Sequence, residues 1–170
     1  MPSTGFSRRP NQPDRPNIRG TRHAVVAGHY LAAHAGFQVL EAGGNAVDAG
    51  VAGGLALGVV ESEYVNVAGV APILIYLAAT GEVVTIAGLG TWPKAAATTF
   101  FQTSHGGDMP IGILRTVVPA APDAWITALE KYGTMSFADV AAAAIRFARD
   151  GFPMYPLMHD IIEAEAATVR

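Results

Sequence analysis

The sequence predicts a mixed chain of the α/β (α+β) class, and three observations carry that expectation. From His23 to Glu61 it reads as two helices of mostly small residues joined by a glycine corner, Glu41-Ala42-Gly43-Gly44-Asn45-Ala46-Val47-Asp48-Ala49. Two short runs rich in Ile, Val, Tyr and Thr, Ile73 to Ala78 and Glu82 to Ala87, flank Ala79-Thr80-Gly81 and predict a hairpin. From Asp123 onward the apolar residues return to helical spacing.

Taken in order, residues 1–22 hold Pro10, Pro13 and Pro16 among Arg8, Arg9, Arg15 and Arg19 and offer little to bury. They predict a flexible tail, or a strap laid across a partner, ahead of one domain over residues 23–170. Arg22 to Val26 is expected as a short strand. The first helix should begin near Gly28, present Tyr30, Ala33, Phe37 and Leu40 on one face, and stop at Gly43 in the left-handed conformation. Asn45 should cap the second helix, with Asp48 in its first turn favoured by the helix dipole. Ala46, Ala49, Gly50, Gly53, Gly54 and Leu57 leave a flank of that helix nearly bare. Each interior glycine costs about 1 kcal/mol relative to alanine, so the helix must recover stability by close packing on both sides.

Glu61 to Gly69 reads as an irregular turn, and Pro72 permits a strand to start but not a central ladder donor. Gly88 to Pro93 is expected as a loop carrying Trp92, Thr98 to Gly112 as a longer irregular connection, and Arg115 to Val118 as extended. Asp123 to Tyr132 then predicts a helix with Trp125, Ala128, Leu129 and Tyr132 on one face, ending at Gly133. Ser136, with Asp139 three residues on, has the pattern of a capping box opening another helix with the stripe Val140, Ala144, Phe147 and Ala148. Gly151 and Pro153 stop it, and Leu157 to Arg170 predicts a last helix still in periodic swing at its end.

Composition narrows the function. At 170 residues the chain can build a core, and 51% hydrophobic against 15% charged residues predicts surface hidden on a partner. A net charge of -3, with no basic run beyond Arg8-Arg9, argues against nucleic acid and anionic membranes. The absence of cysteine excludes disulfides and thiolate chemistry. The N-terminal stretch lacks the apolar segment of a secretory signal, so the cytoplasm is the expected location. Val47 to Val60 and Val65 to Ala79 are broken by Asp48, Pro72 and glycines below membrane-spanning length. No metal or cofactor is expected: His29 and His34 are off a common helical face, and among His23, His105 and His159 no grouping with acids has ligand spacing. The glycine pairs Gly43-Gly44 and Gly53-Gly54 are followed by no lysine and do not form a phosphate cradle.

The run Gly43 to Glu61, GGNAVDAGVAGGLALGVVE, resembles the signature of the gamma-glutamyltransferase family, autoprocessing N-terminal-nucleophile hydrolases. Further echoes follow in order at the hairpin, at Val118-Pro119-Ala120, at Lys131-Tyr132-Gly133-Thr134 and at Ala144 to Phe152. The resemblance implies an αββα four-layer sandwich of which this chain is the N-terminal part of the large subunit, completed by a partner chain. It also implies that the precursor cuts itself ahead of a threonine whose hydroxyl is nucleophile and whose amine is base. No such group is on this chain, which starts Met1-Pro2, so no catalytic residue is expected here and the N-terminal Thr belongs to a C-terminal (beta) subunit. A dimer of such heterodimers is the larger assembly implied.

The sequence departs from the family where that family carries arginine and glutamate ahead of a Thr-Ala-Pro, the arginine clamping the alpha-carboxylate of a gamma-glutamyl group. Here those places hold Leu89 and Gly90, followed by Thr91, Trp92 and Pro93. The expected activity is therefore hydrolysis of a non-glutamyl amide, a small molecule; gamma-glutamyl transfer or hydrolysis proper, or a non-catalytic subunit derived from such an enzyme, is the alternative. Trp92 has two readings, lining an acyl pocket or covering the hairpin. Arg115 either meets a substrate carboxylate or pairs with a surface acid. Tyr64 and Asn66 lie in the turn that resembles the family's site-proximal loop, with Glu63 beside them as a polar contact or merely solvated. Thr134 resembles a structural position at a helix turn, a cap rather than a nucleophile.

Overall fold

The computed structural model describes residues 18–169; most of the expected 1–22 tail, and Arg170, lie outside the described residues. Helix α1 spans Tyr30–Glu41 and α2 spans Ala46–Val60. Helix α1 starts later than Gly28 because extended His29 caps it, Nδ1 accepting the Leu31 amide at 3.2 Å. Its buried face is Ala32, Ala35, Gly36 and Val39, not the face of Tyr30 and Phe37, which are 64% and 43% exposed. The reason is the bare flank of α2. A Cβ on Gly36 would lie 2.8 Å from the Ala49 carbonyl oxygen, so the helices approach where only small residues fit and the rings are turned outward. Helix α2 is enclosed on most of its circumference, burying Ala49, Val51, Ala52, Leu55, Ala56 and Val60.

Arg22 to Val26 forms no strand, because side chains rather than a ladder hold it: Arg22 Nη2 and His23 Nε2 lie 2.7 and 2.9 Å from Glu41 Oε1. Strands β1 (Ile73–Leu77) and β2 (Glu82–Ile86) pair antiparallel from Ile73 opposite Ile86 to Leu77 opposite Glu82, as the sequence predicts. Ile73 and Ile86 pack on the core cluster of α2 and α4, whereas Leu74, Tyr76 and Val83 on the other face are 73%, 66% and 59% exposed.

The segment expected to be irregular after Thr98 is partly a helix, α3 (Thr98–His105), closed by Gly106 at φ +62° and burying no residue. Without a side-chain cap or an amphipathic stripe it carries little sequence signal, and its Thr103 hydroxyl bonds back to the Thr99 carbonyl at 2.8 Å. A 3-10 turn, Ile113–Arg115, takes in Arg115 before the chain extends from Thr116. Helix α4 (Ala121–Tyr132) begins ahead of Asp123 because Pro122 sits in its first turn, where its missing N–H costs nothing. It buries Ala121, Ala124, Trp125, Ala128 and Leu129, the Trp125 indole lying on α2 where a Cβ at Gly54 would be 3.0 Å from its Nε1.

Helix α5 (Phe137–Asp150) has the predicted Ser136–Asp139 capping box; its buried stripe is Val140, Ala141, Ala144 and Phe147, with Ala148 exposed. The expected last helix is two, α6 (Pro156–Ala164) and α7 (Ala166–Val169), divided at Glu165. The result is a helical layer of α1, α2 and α5, with α4 set against α2 and the hairpin against α4.

Candidate functional site

The glycine corner is a buried polar junction. Asp48 is 0% exposed and its carboxylate accepts from four donors: the Asn45 amide (2.8 Å), the Thr134 amide (2.9 Å), the Thr134 hydroxyl (2.7 Å) and the Met135 amide (3.1 Å). Asn45 completes it, its Oδ1 accepting the Val47 and Asp48 amides and its Nδ2 donating to the Tyr132 carbonyl at 2.6 Å. Burial by itself raises the Asp48 pKa, but the hydrogen bonds from Thr134, Asn45 and Met135 outweigh it and hold the carboxyl below its usual 3.8. Gly133 is required because a Cβ there would lie 2.7 Å from Asp48 Oδ1. Thr134 is thus a structural donor. Its hydroxyl is spent on Asp48, whose fully buried carboxylate is itself occupied by the neighbouring amides, so this junction orients the chain.

A second convergence lies at the exit of the hairpin. The Ala71 amide donates to the Gly88 carbonyl at 2.8 Å, the Gly69 carbonyl accepts from the Ala120 and Ala121 amides at 3.2 Å, and the Val118 amide donates to the Thr91 carbonyl at 2.9 Å. The backbone of 69–71, 88–91 and 118–121 is therefore knitted into one wall at the start of α4. Gly90 sits in it at φ +74°, and a Cβ would lie 2.1 Å from the Val118 carbonyl oxygen. No side chain fits at this position with this backbone.

Beyond Gly90 the loop carries Trp92 into an apolar cleft of about 320 Å³, lined by Trp92, Pro93, Phe100, Phe101, Ile113 and Leu114. The Trp92 and Phe101 rings meet edge to face at 6.2 Å. Of the five residues expected to bind substrate, Trp92 alone lines this cleft. Leu89 is 55% exposed on the same loop, and Tyr64 and Asn66 stand exposed on the separate turn after α2. Arg115 follows the cleft residue Leu114, but its Nε donates to the Met109 carbonyl at 2.6 Å; its partner is backbone, not the surface acid of one of its two readings. Glu63 is not merely solvated, since it accepts the Tyr155 hydroxyl. Sequence reasoning missed Phe100, Phe101 and Ile113, for which the adjacent aromatics beside Ala95-Ala96-Ala97 were the available signal.

Contrary to the expectation from spacing, acids do group with a histidine. On α6, His159, Asp160 and Glu163 bring one ligand atom each within 4.8 Å of one another, because residues four apart share a helix face. All three are exposed. No helix among the described residues is long and apolar enough to cross a membrane.

Residues 32–170 match the family model described as Gamma-glutamyltranspeptidase. The chain belongs to that family. It is 35% identical over 158 residues to the Acylase ACY 1 proenzyme of Pseudomonas sp. (strain V22), covering 87% of this chain and 28% of that protein. It is 34% identical over 140 residues to the Glutathione hydrolase-like YwrD proenzyme of Bacillus subtilis, covering 81% of this chain and 26% of that protein. The Helicobacter pylori gamma-glutamyltranspeptidase structure superimposes with a TM-score of 0.80 at 30% identity, over 88% of this chain and 44% of that one. The gamma-glutamyltranspeptidase family chain described here thus spans about a quarter of these proenzymes' length, and its α+β class and large-subunit placement agree with the structural match.

Proposed function

We propose that this chain is the large-subunit part of an autoprocessed amidohydrolase that cleaves a non-glutamyl amide with an N-terminal threonine carried by a partner chain. In that reading the threonine hydroxyl attacks the amide carbonyl while the threonine amine takes its proton, the amine product leaves, and water releases the acyl group. This chain contributes the wall. The observation that carries the reading is Gly90: its positive φ and the Val118 carbonyl at 2.1 Å from a Cβ leave no room for the family's glutamate, and Leu89 replaces the arginine. Losing a charge-assisted fork removes roughly 1.5 to 3 kcal/mol of carboxylate recognition per hydrogen bond. The apolar Trp92 cleft next along the loop suits an acyl group of low polarity, and the 35% identical relative whose name is acylase supports the same direction.

The test is to express the whole precursor, sequence the N-terminus of the chain that copurifies with this one, and assay the assembled protein on gamma-glutamyl-p-nitroanilide and on neutral acyl anilides. Threonine at that N-terminus with faster turnover of the acyl anilides is expected. An intact methionine start with amidase activity retained overturns the mechanism. Brisk hydrolysis of the gamma-glutamyl anilide overturns the specificity and moves the reading to a glutathione hydrolase.

A further inference from the structure

The turn that joins α2 to the hairpin has almost nothing of its own to hold it. Its backbone bonds are local, Tyr64 and Val65 amides to the Glu61 carbonyl at 3.0 Å and the Gly69 amide to the Asn66 carbonyl at 3.1 Å, until the Gly69 carbonyl reaches α4. Tyr64 is 64% and Val67 48% exposed. Among the described residues, 62–69 make one side-chain hydrogen bond, Tyr155 Oη donating to Glu63 Oε1, and Tyr155 comes from a distant part of the chain, as the N-cap residue of α6.

That bond is half-buried. Glu63 Oε2 is buried without a hydrogen-bond partner, so the carboxylate depends on the tyrosine to hold it in place. Tyr155 is in turn wedged by His29, whose ring lies 5.3 Å away and is itself stacked on Tyr30 at 4.6 Å. Burial, then the hydrogen bond to Glu63, then the charges of Glu63 and Glu61 raise the Tyr155 pKa well above 10.0, so its hydroxyl stays a donor at neutral pH. A carboxylate with one oxygen buried and idle is a poor choice for stability alone. What it supplies is a fixed point between two chain segments that are 92 residues apart.

We propose that Glu63 and Tyr155 are positioning residues: their hydrogen bond latches the 62–69 turn to the head of α6 and thereby fixes 69–71 at the start of α4, the wall that backs the loop of Gly90 and Trp92. The inference builds on the amidohydrolase reading above. The chain of connection is short, since Gly69 ends the turn and its carbonyl takes both α4 amides, while Ala71 is bonded to Gly88 in the loop that leads to Gly90 and Trp92.

The experiment uses the assembled full-length protein in wild-type, Tyr155→Phe, Glu63→Ala and Glu63→Gln forms, with two readouts. Chymotryptic cleavage after Tyr64 reports opening of the turn whether or not the enzyme is active. Loss of the latch should accelerate it roughly tenfold in Tyr155→Phe and Glu63→Ala, with partial rescue in Glu63→Gln, which keeps an acceptor for the tyrosine. For the amide turned over best, KM should rise about fivefold or more in the first two variants while kcat stays within about twofold, a split that a loss of folded protein alone would not produce. Unchanged cleavage in both variants overturns the latch, and faster cleavage with unchanged KM overturns its positioning role. A variant that fails to assemble leaves the other two to decide. A wild type inactive on every amide defeats the amidohydrolase reading, and the cleavage rate alone then decides the latch.

Discussion

The glycine corner and the stretch from Gly88 to Val118 are treated by this fold in opposite ways. At the corner, Asp48 is wholly buried with four donors on its carboxylate, and Val60 and Val140 of the same helical layer are fully enclosed. In the other stretch α3 and the 3-10 turn bury nothing, and Ile111 and Ile113 are 85% and 83% exposed. The corner closes on itself because the Asp48 and Asn45 side chains find their partners within the chain. The stretch carrying Trp92, like the outer hairpin face of Leu74, Tyr76 and Val83, presents apolar surface with no cover from the described residues. The contrast teaches that the corner is completed by the chain's own polar groups, whereas the wall of the candidate site leaves apolar surface that the described residues do not cover.

The largest effect that would break this contrast is on folding itself. Residues 1–170 expressed alone should be insoluble or molten, because exposed apolar surface of this extent favours association over a cooperative native state. Gel filtration and a thermal melt check it, and a monodisperse monomer with a sharp transition would show that the exposed half needs no partner.

Next in size is the corner. In the assembled protein Asp48→Ala should cost about 3 kcal/mol or more, measured by urea unfolding, because it strands buried donors that now share one charged acceptor. The pH dependence has a definite sign. The folded pKa of Asp48 lies below its unfolded value, so its contribution is complete above about pH 4 and is lost as pH falls through the folded pKa. Asp48→Asn should flatten stability against pH in that acid window and leave its shape near neutrality unchanged; equal slopes in both proteins would mean that the corner is not the source of the acid sensitivity.

The smallest expected effect sharpens the other side of the comparison. Arg115 is tied to the Met109 carbonyl through Nε, and among the described residues its terminal nitrogens make no hydrogen bond. Arg115→Ala should raise KM several-fold for a carboxylate-bearing amide and leave a neutral amide nearly untouched. Equal losses on both substrates would make Arg115 a brace of its own loop.

The sequence by itself determined the elements whose signals are local. The Asn45–Asp48 and Ser136–Asp139 caps, the stop at Gly133, the existence of the hairpin, and the family signature from Gly43 to Glu61 are all legible because each depends on residues within a few positions of one another. It also marked Leu89 and Gly90 as departures, although not that Gly90 is enforced by the Val118 carbonyl. Tertiary structure decided the rest. Which face of α1 is buried was set by the bare flank of α2, so Ala32, Ala35 and Gly36 went inside and Tyr30 and Phe37 outside, against their hydrophobicity. The four donors on Asp48 include three from residues 134 and 135, the cleft joins Trp92 to Ile113, and Glu63 meets Tyr155. Contacts between segments so far apart have no periodicity to betray them, because they depend on how closely two surfaces pack rather than on what either segment does alone.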